Sequence, residues 1–444
     1  MPHSSLDYGA TRGTRIASTT DTTMQPQMLP GIIILNEKYF PESDVSPAKV
    51  GATSIAFSVM NLLGGEGLFA GMILYRREEG IFHPRIELQT KSSIVCGILS
   101  FNFDMARSKI RDAISAAAKM LTVKTYGSAR LVILYHQTDT MLVYNPEWFP
   151  SCVTHHGPFH DDFVKHFSIE KAATAFGSPE KAQHLKKHQR IGLYRLRQSR
   201  NMFVLQHSLL QRRYLLSKNI DAHKIHKMVP PININTGSHQ QLSSSHPEIK
   251  TFMRAKPSLL LFTAVARLDF FKNVELLVDA GVELLRRHLP VRVLIAGGEE
   301  IEGSRRSAIL GCVPAAFKAE FKVVPKLSKD SLYALFDQVR DDGIFVCPSR
   351  YETLGITPLE AAMNGVTTII IDSRNVEASH YFPRENRFEG SVVGLASLVE
   401  KFHKEGMQGR GVELQGKIRK QISDEKFRNS FLDAWRSFSK AARH

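Results

Sequence analysis

The chain alternates short, wholly apolar runs with amphipathic stretches, and that alternation predicts most of its elements. "GIIILN" (31–36) reads as a buried strand, and "VGATSIAFSVMNLLGGEG" as a glycine turn opening a helix that stops at Gly64-Gly65. "LFAGMILYRR" and "SSIVCGILSF" read as strands, "MARSKIRDAISAAAKML" as a helix, and "ARLVILYHQ" and "SCVTHHG" as further strands. Residues 160–228 turn helical and basic, with "EKAQHLKKHQRIGLYRLRQSRNMFVLQHSLLQRRYLLSKN" as the core of that region. "INTGSHQQLSSSHPEIK" (234–250) is polar and Ser-rich, as a linker or surface loop would be. A second series follows: strand "SLLLFTAVARL", a helix over 273–288, strands "VRVLIAGG" and "FKVVP", helix "KDSLYALFDQVR", strand "GIFVCPS", a helix from 358, and strand "TTIIID". A helix at about 424–441 ends the chain with no strand after it. Strand–helix–strand repetition predicts two doubly wound α/β domains in series, divided as a tail (1–30), a first domain (31–232), a linker (233–250), a second domain (251–423) and a final helix (424–444) able to cross back to the first.

Composition narrows the class. The 444 residues exceed one ordinary core, and 43% hydrophobic with 23% charged is globular. The net charge of +15 points to anionic partners: phosphorylated small molecules, nucleic acid or an acidic membrane surface. Cys96, Cys152, Cys312 and Cys347 form no CxxC pair, which suits reduced thiols in a cytoplasmic protein. No apolar run approaches the roughly 18–20 residues of a membrane span, and the Ser/Thr/Pro-rich N-terminus lacks the apolar core of a secretory signal.

Ligands of open α/β sheets sit at the carboxyl ends of strands. The loops of interest are therefore Gly51-Ala52, His155-His156-Gly157, Arg267 to Lys272, Gly297-Gly298 and Ser349 to Thr357. In "FVCPSRYETLGITPLEAAMNG", Glu352 and Glu360 stand eight positions apart. Thr357-Pro358-Leu359-Glu360 has the form of a capping box, in which Glu360 at N3 returns a bond to the N-cap amide. The same stretch offers amides at Leu354, Gly355 and Ile356 ahead of a helix N-terminus, where phosphate binds well. In "ARLDFFKN", Arg267 and Lys272 lie between a strand and a helix and can grip a diphosphate, or they are two surface cations.

Together "VARLDFFKN…LIAGG…FVCPSRYETLGITPLEAAMNG" resembles the C-terminal domain of retaining glycosyltransferases of the GT-B fold, family 4. The resemblance extends loosely over 31–440 and is specific in the C-terminal half, where the Arg-Leu-x3-Lys and Glu-x7-Glu spacings match. It implies two Rossmann-like domains facing each other across a cleft, the first binding acceptor and the second a nucleotide-sugar donor, with no cofactor. It further implies that Arg267 and Lys272 hold the donor diphosphate, that Glu360 binds the ribose, and that Glu352 contacts the donor sugar. The amides near Leu354, Gly355 and Ile356 would lie against phosphate, Gly51 would stand in the first glycine-rich loop, and His156 would hydrogen-bond the transferred sugar. A uridine donor is the leading expectation. The acceptor is any hydroxyl-bearing molecule, a secondary metabolite or a lipid-linked sugar among them, and the basic surface suits contact with an acidic membrane.

Two departures stand out. The loop after "TTIII" reads "DSRNVEAS", keeping Glu377 but lacking the family's paired glycines, and the first loop has Gly-Ala in place of Gly-Gly. His155, His156, His160, Asp161 and Asp162 invite a metal, but Gly157-Pro158 breaks the regular helix that His156 and His160 would need, and no Asp-x-Asp is present. Two rival classes remain: a nucleotide-sugar epimerase or phosphorylase on the same fold, and a nucleic-acid binder using the basic 181–227 stretch, in which no nucleic-acid motif occurs. On the first reading transfer activity survives EDTA. Complete loss on chelation, restored by Mn²⁺ or Zn²⁺, would return the histidines to a metal.

Overall fold

The computed structural model describes residues 28–41, 51–232, 246–254, 259–299 and 301–443. The expected tail and Ser-rich linker therefore lie largely outside the described residues.

Strands β1 (Gly31–Asn36), β2 (Phe69–Arg77), β3 (Arg85–Lys91), β4 (Ile94–Phe101), β5 (Ile133–His136), β6 (Ser151–Val153), β7 (Met202–Gln206) and β8 (Ile225–Lys227) form one sheet in the order β3-β4-β2-β1-β5-β6-β7-β8. All neighbours in it are parallel except β3 and β4. Strands β9 (Leu259–Val265), β10 (Val291–Gly297), β11 (Phe321–Val324), β12 (Gly343–Cys347), β13 (Thr367–Ile371) and β14 (Arg387–Phe388) form a second, all-parallel sheet in the order β11-β10-β9-β12-β13-β14. Both sheets are covered by helices on each face, so their central strands are continuous apolar runs: Ile32 to Leu35 and Val293 to Ala296 are each at most 1% exposed.

Counted from its own first strand, the second sheet has the order 3-2-1-4-5-6 of the doubly wound fold. The order reverses between β9 and β12, and in the first sheet between β1 and β5. At these points the connections leave to opposite faces and a crevice opens at the carboxyl ends of the strands.

The 160–228 region is not simply helical. Its helices His160–His166, Ile169–Phe176, Pro179–Gln198 and Leu209–Ser217 are interrupted by β7, and β8 follows. "MFVLQ" is only five residues long between basic helices, and its strand character comes from pairing with β6, with all five residues buried. β3 also escapes the pattern: "RIELQTK" is an edge strand, mostly exposed, and carries no apolar face to read.

The last helix, Asp424–Ala441, packs on the first sheet although it follows the second in sequence. Trp435 Nε1 donates to the Leu29 carbonyl at 2.8 Å, the Leu29 amide donates to Ser439 Oγ at 3.0 Å, and Phe438 stacks on Phe203 of β7 with ring centroids 4.6 Å apart. Trp435 is fully buried and stacks on Phe431. Trp435→Ala is expected to lower unfolding free energy by about 3–5 kcal/mol, through lost burial and the cavity left behind. Urea denaturation checks this, and a loss below about 1 kcal/mol would mean that the strap contributes little.

Candidate active site

The site forms where β9 and β12 end. After β9, Asp269 Oδ1 accepts from the amides of Phe271 (3.0 Å) and Lys272 (3.2 Å), a local turn that fixes Lys272. Buried Asn273 ties this loop to the next strand, its Nδ2 donating to the Pro348 carbonyl at 3.0 Å. After β12, Glu352 is pinned through its backbone to the 375–377 segment: its amide donates to Asn375 O at 2.9 Å and its carbonyl accepts from the Glu377 amide at 3.0 Å. Glu352 Oε1 then receives Lys272 Nζ at 2.5 Å and Ser349 Oγ at 2.8 Å.

This pair stands in a cavity of about 210 Å³ lined from both halves of the chain. The C-terminal half contributes Lys272, Glu352, Thr353, Leu354, Gly355 and Ile356, and the N-terminal half Ile55, His156 and His207. Gly355 has φ +82° and N-caps the helix Ile356–Met363 without any side-chain cap. A Cβ there would come within 2.8 Å of the Ala378 Cβ, so glycine is required twice over. The first amides of that helix therefore face the cavity uncapped. Cys347 at the cavity floor has its thiol pushed up to about 12 by burial and by the Glu352 charge, so it is no nucleophile near neutral pH.

The capping box is overturned. With the helix starting at Ile356, Thr357 is the second helical residue and Glu360 the fifth, too deep to reach the N-cap amide. Glu360 is 3% exposed and is paired instead with Lys329 Nζ and with Tyr333 OH, which donates at 3.1 Å, both on Oε1. Burial and the Glu360 charge hold the Tyr333 hydroxyl protonated. Glu360 does not line the cavity, although residues 352–358 of its loop do.

Arg267 stands apart from the cavity lining. It is exposed, with Nε on Asp269 Oδ2 at 3.0 Å and Nη1 donating to the Ala175 carbonyl at 3.1 Å. Gly51 is the first residue of the helix Gly51–Gly65, whose Ile55 reaches the cavity. His155 is turned away into the core, its Nδ1 bonded to Asp139, which also accepts from Gln189 Nε2 at 3.0 Å. His160 Nδ1 meets Asp161, and Asp161 meets Arg190. Among the described residues no group of three or more His, Cys, Asp or Glu side chains could hold a metal ion.

Sequence reading gave no individual role to four residues that the structure places at Glu352, at His156 or at Glu360. Ser349 and His207 lie within quoted motifs but carry no distinctive spacing, and Lys329 and Tyr333 stand on the helix Lys329–Gln338, far from Glu360 in sequence. Glu377 does something the motif did not announce. Buried to 1% exposure, it accepts from Ser208 Oγ (3.2 Å) and the amides of Leu209 (2.8 Å) and Leu210 (3.0 Å), capping a helix of the other half.

Comparison with known proteins gives a consistent class. Residues 247–379 match the family model "Glycosyl transferases group 1". Among solved structures the chain is similar to sucrose-phosphate synthase from Thermosynechococcus elongatus, with 15% identity and TM-score 0.64, over 92% of this chain and 98% of that one. It is similar to Anabaena Alr3699/HepE in complex with UDP-glucose, with 11% identity and TM-score 0.60, over 91% and 98% of the two chains. It is also similar to an α,α-trehalose-6-phosphate synthase from Burkholderia multivorans, with 11% identity and TM-score 0.58, over 94% and 100%. No curated protein matches the chain. The fold is therefore GT-B, with one mostly parallel and one all-parallel sheet facing each other across a cleft. With a group 1 glycosyltransferase segment forming the cavity's C-terminal wall, the chain is a glycosyltransferase.

Burial pushes His207 down to about 4 from its ordinary 6.5, while His156 is held well below that value by burial and by the neighbouring His207 and His155. The sign follows from linkage: between those two values the unfolded chain binds the proton that folded His207 refuses. Stability is thus expected to fall as pH drops from 6.5 toward 4, by about 1.4 kcal/mol per unit for each such histidine. Urea midpoints across that range check this, and His207→Gln should flatten the slope. An unchanged slope would show that His207 titrates normally.

Proposed function

We propose that the protein transfers a sugar from a nucleotide-diphosphate sugar, with uridine as the favoured base, to an acceptor hydroxyl with retention at the anomeric carbon. The observation that carries this is the meeting of Lys272 Nζ and the Glu352 carboxylate at an uncapped helix N-terminus, in a crevice where the strand order reverses. Helix amides and one cation suit a diphosphate, and a carboxylate beside them suits sugar hydroxyls. The similar Anabaena protein was solved with UDP-glucose, which supports a nucleotide-sugar donor here.

In this scheme the bond from the anomeric carbon to the diphosphate breaks as the acceptor oxygen bonds to that carbon from the same face. The acceptor proton passes to the departing phosphate oxygen, so no protein base is needed. Lys272 and the amides of 355–357 stabilise charge building on the diphosphate. Glu352, held by Lys272 and Ser349, orients the sugar, and His156 approaches it from the opposite wall. Glu360 has both its contacts on Oε1, and Oε2 is assigned to the ribose hydroxyls. Arg267 would reach the diphosphate only by leaving Asp269 and the Ala175 carbonyl. The acceptor enters from the N-terminal half, where the exposed cations Lys187, Arg190 and Arg197 on one helix suit an acidic membrane surface carrying a lipid-linked acceptor.

A thermal-shift screen of nucleoside diphosphates and nucleotide sugars tests the donor class directly, since saturation at about 100 times Kd stabilises by about 2.7 kcal/mol. Absence of any shift would sink the proposal. Lys272→Ala is expected to raise the barrier to transfer by about 2–4 kcal/mol with the fold intact by circular dichroism. Glu352→Gln should lower kcat more than donor affinity, and Glu360→Gln should mainly raise donor KM. Near-normal turnover of the Lys272 variant would remove it from the site.

A further inference from the structure

A second cavity, of about 330 Å³, lies within the N-terminal half and shares no lining residue with the first. That volume falls within the roughly 300–1,000 Å³ of small-molecule sites. Its walls come from the helices His160–His166, Pro179–Gln198 and Leu209–Ser217 and the residue after the last of them. The second and third helices lead into β7 and β8, so they end at the amino ends of those strands, away from the cleft. Arg197 and Lys218 stand at those helix ends.

Three cations, Arg190, Arg197 and Lys218, and one carboxylate, Asp161, line this cavity, so two positive charges are unmatched. Arg190 Nε pairs with Asp161 Oδ2 at 2.9 Å. Arg197 and Lys218 lie over the rings of Tyr194 and Tyr214, at 5.7 and 5.3 Å from the centroids, and neither has a carboxylate partner among the described residues. The neighbouring Lys165 is balanced by Asp162 at 3.5 Å. Helix C-termini attract cations to their own carbonyls, but at the end of Pro179–Gln198 another residue fills that role. Lys224 Nζ donates to the carbonyls of Leu196 (2.9 Å), Arg197 (3.1 Å) and Ser199 (2.8 Å), which leaves the Arg197 guanidinium without a duty to the backbone. Tyr214 adds an uncharged donor. It is 5% exposed, its ring stacks on Phe159 with centroids 4.4 Å apart, and its hydroxyl has no hydrogen-bond partner among the described residues. Burial and the charges of Asp161 and Asp162 keep that hydroxyl protonated.

We propose that this cavity is a second ligand site, separate from the donor cleft, that takes a phosphate monoester. Near neutral pH such a group carries a charge of about −1.5 to −2 and three acceptor oxygens. It therefore matches two unmatched cations and one phenolic donor. A guanidinium can meet two of its oxygens at once, and an ammonium group the third. A carboxylate, a sulfonate or a phosphodiester carries a single charge and leaves one cation unmatched. The exposed Tyr194 ring and Leu193 give an apolar wall to the organic body behind the phosphate. The site does not depend on the donor chemistry assigned to the cleft.

Phenyl phosphate is the probe, titrated calorimetrically into the intact protein near neutral pH, with benzenesulfonate as its singly charged counterpart. Saturable binding with Kd at or below about 1 mM is expected, at least about tenfold tighter than for benzenesulfonate. Arg197→Gln combined with Lys218→Gln removes both unmatched charges and should weaken binding at least about tenfold. Tyr214→Phe keeps the ring and should weaken it about tenfold, the loss of one hydrogen bond to a charged group. Lys272→Ala, in the donor cavity, should leave the affinity unchanged, and circular dichroism checks the fold of each variant. No saturable binding, equal affinity for benzenesulfonate, or affinity unchanged in the Arg197→Gln, Lys218→Gln protein would overturn the proposal. So would binding that is lost in Lys272→Ala, which would place the probe in the cleft. Phosphate monoesters occur on soluble metabolites and on the lipid phosphatidic acid, and sedimentation with phosphatidylcholine vesicles containing phosphatidic acid separates the two sources. Co-sedimentation reversed by phenyl phosphate assigns the group to a lipid; phenyl phosphate binding without co-sedimentation assigns it to a soluble molecule.

Discussion

The constraint on which the structure depends is the reversal of strand order beside the first strand of each sheet. A right-handed crossover lays its helix on one face of the sheet, and turning back across β9 or β1 puts the next helix on the other. The loops leaving β9 and β12 must then part, and the gap between them cannot be filled by either. Lys272 and Glu352 come from the two sides of that gap, and their contact bridges it. Asn273, bonded to the Pro348 carbonyl, holds the same two loops together from beneath.

The cleft is held by contacts between the halves as much as by each half's own core. Glu377 caps the helix Leu209–Ser217, and the Thr353 hydroxyl donates to the His156 carbonyl. Beside them Phe163 and Phe167 from the first half pack edge-on and tilted against Phe271 and Tyr351 from the second, with centroids 4.7–6.1 Å apart. Each such ring pair contributes about 0.5–1.5 kcal/mol beyond its buried area. Glu352 and Glu377 are joined through their backbones, so the carboxylate at the cavity and the carboxylate holding the halves together belong to one hydrogen-bonded unit.

Charge in the site is paired but unevenly exposed. Lys272 and Glu352 are 19% and 16% exposed, so their pair opens onto the cavity. Glu360 lies deeper than either, and removal of Lys329 would leave its buried charge without a counter-ion. The histidines of the opposite wall stay neutral, so the cavity presents its charge on one side and its uncharged donors and acceptors on the other.

Much of the architecture was legible in the sequence, because apolar runs such as "GIIIL" and "TTIII" occur only where both faces of a strand are covered. The final helix was likewise visible from its own periodicity. The Arg-Leu-x3-Lys and Glu-x7-Glu spacings pointed to Lys272 and Glu352 through the family resemblance, and the fold brings those two side chains into contact. What escaped was whatever depends on a partner far along the chain. β7 is a strand because β6 and β8 flank it, and nothing in five residues between helices announces that. Thr357 and Glu360 had the letters of a capping box, but Gly355 at positive φ, close against Ala378, starts the helix early and sends Glu360 to Lys329 and Tyr333. The pairing of His156 with His207, 51 residues away, and the reach of Glu377 across the cleft to Leu209 exist only once two sheets have formed and met. Local chemistry, carried by neighbours in sequence, determined the elements and the loops; long-range packing alone decided which side chains would share a proton, a charge or a helix end.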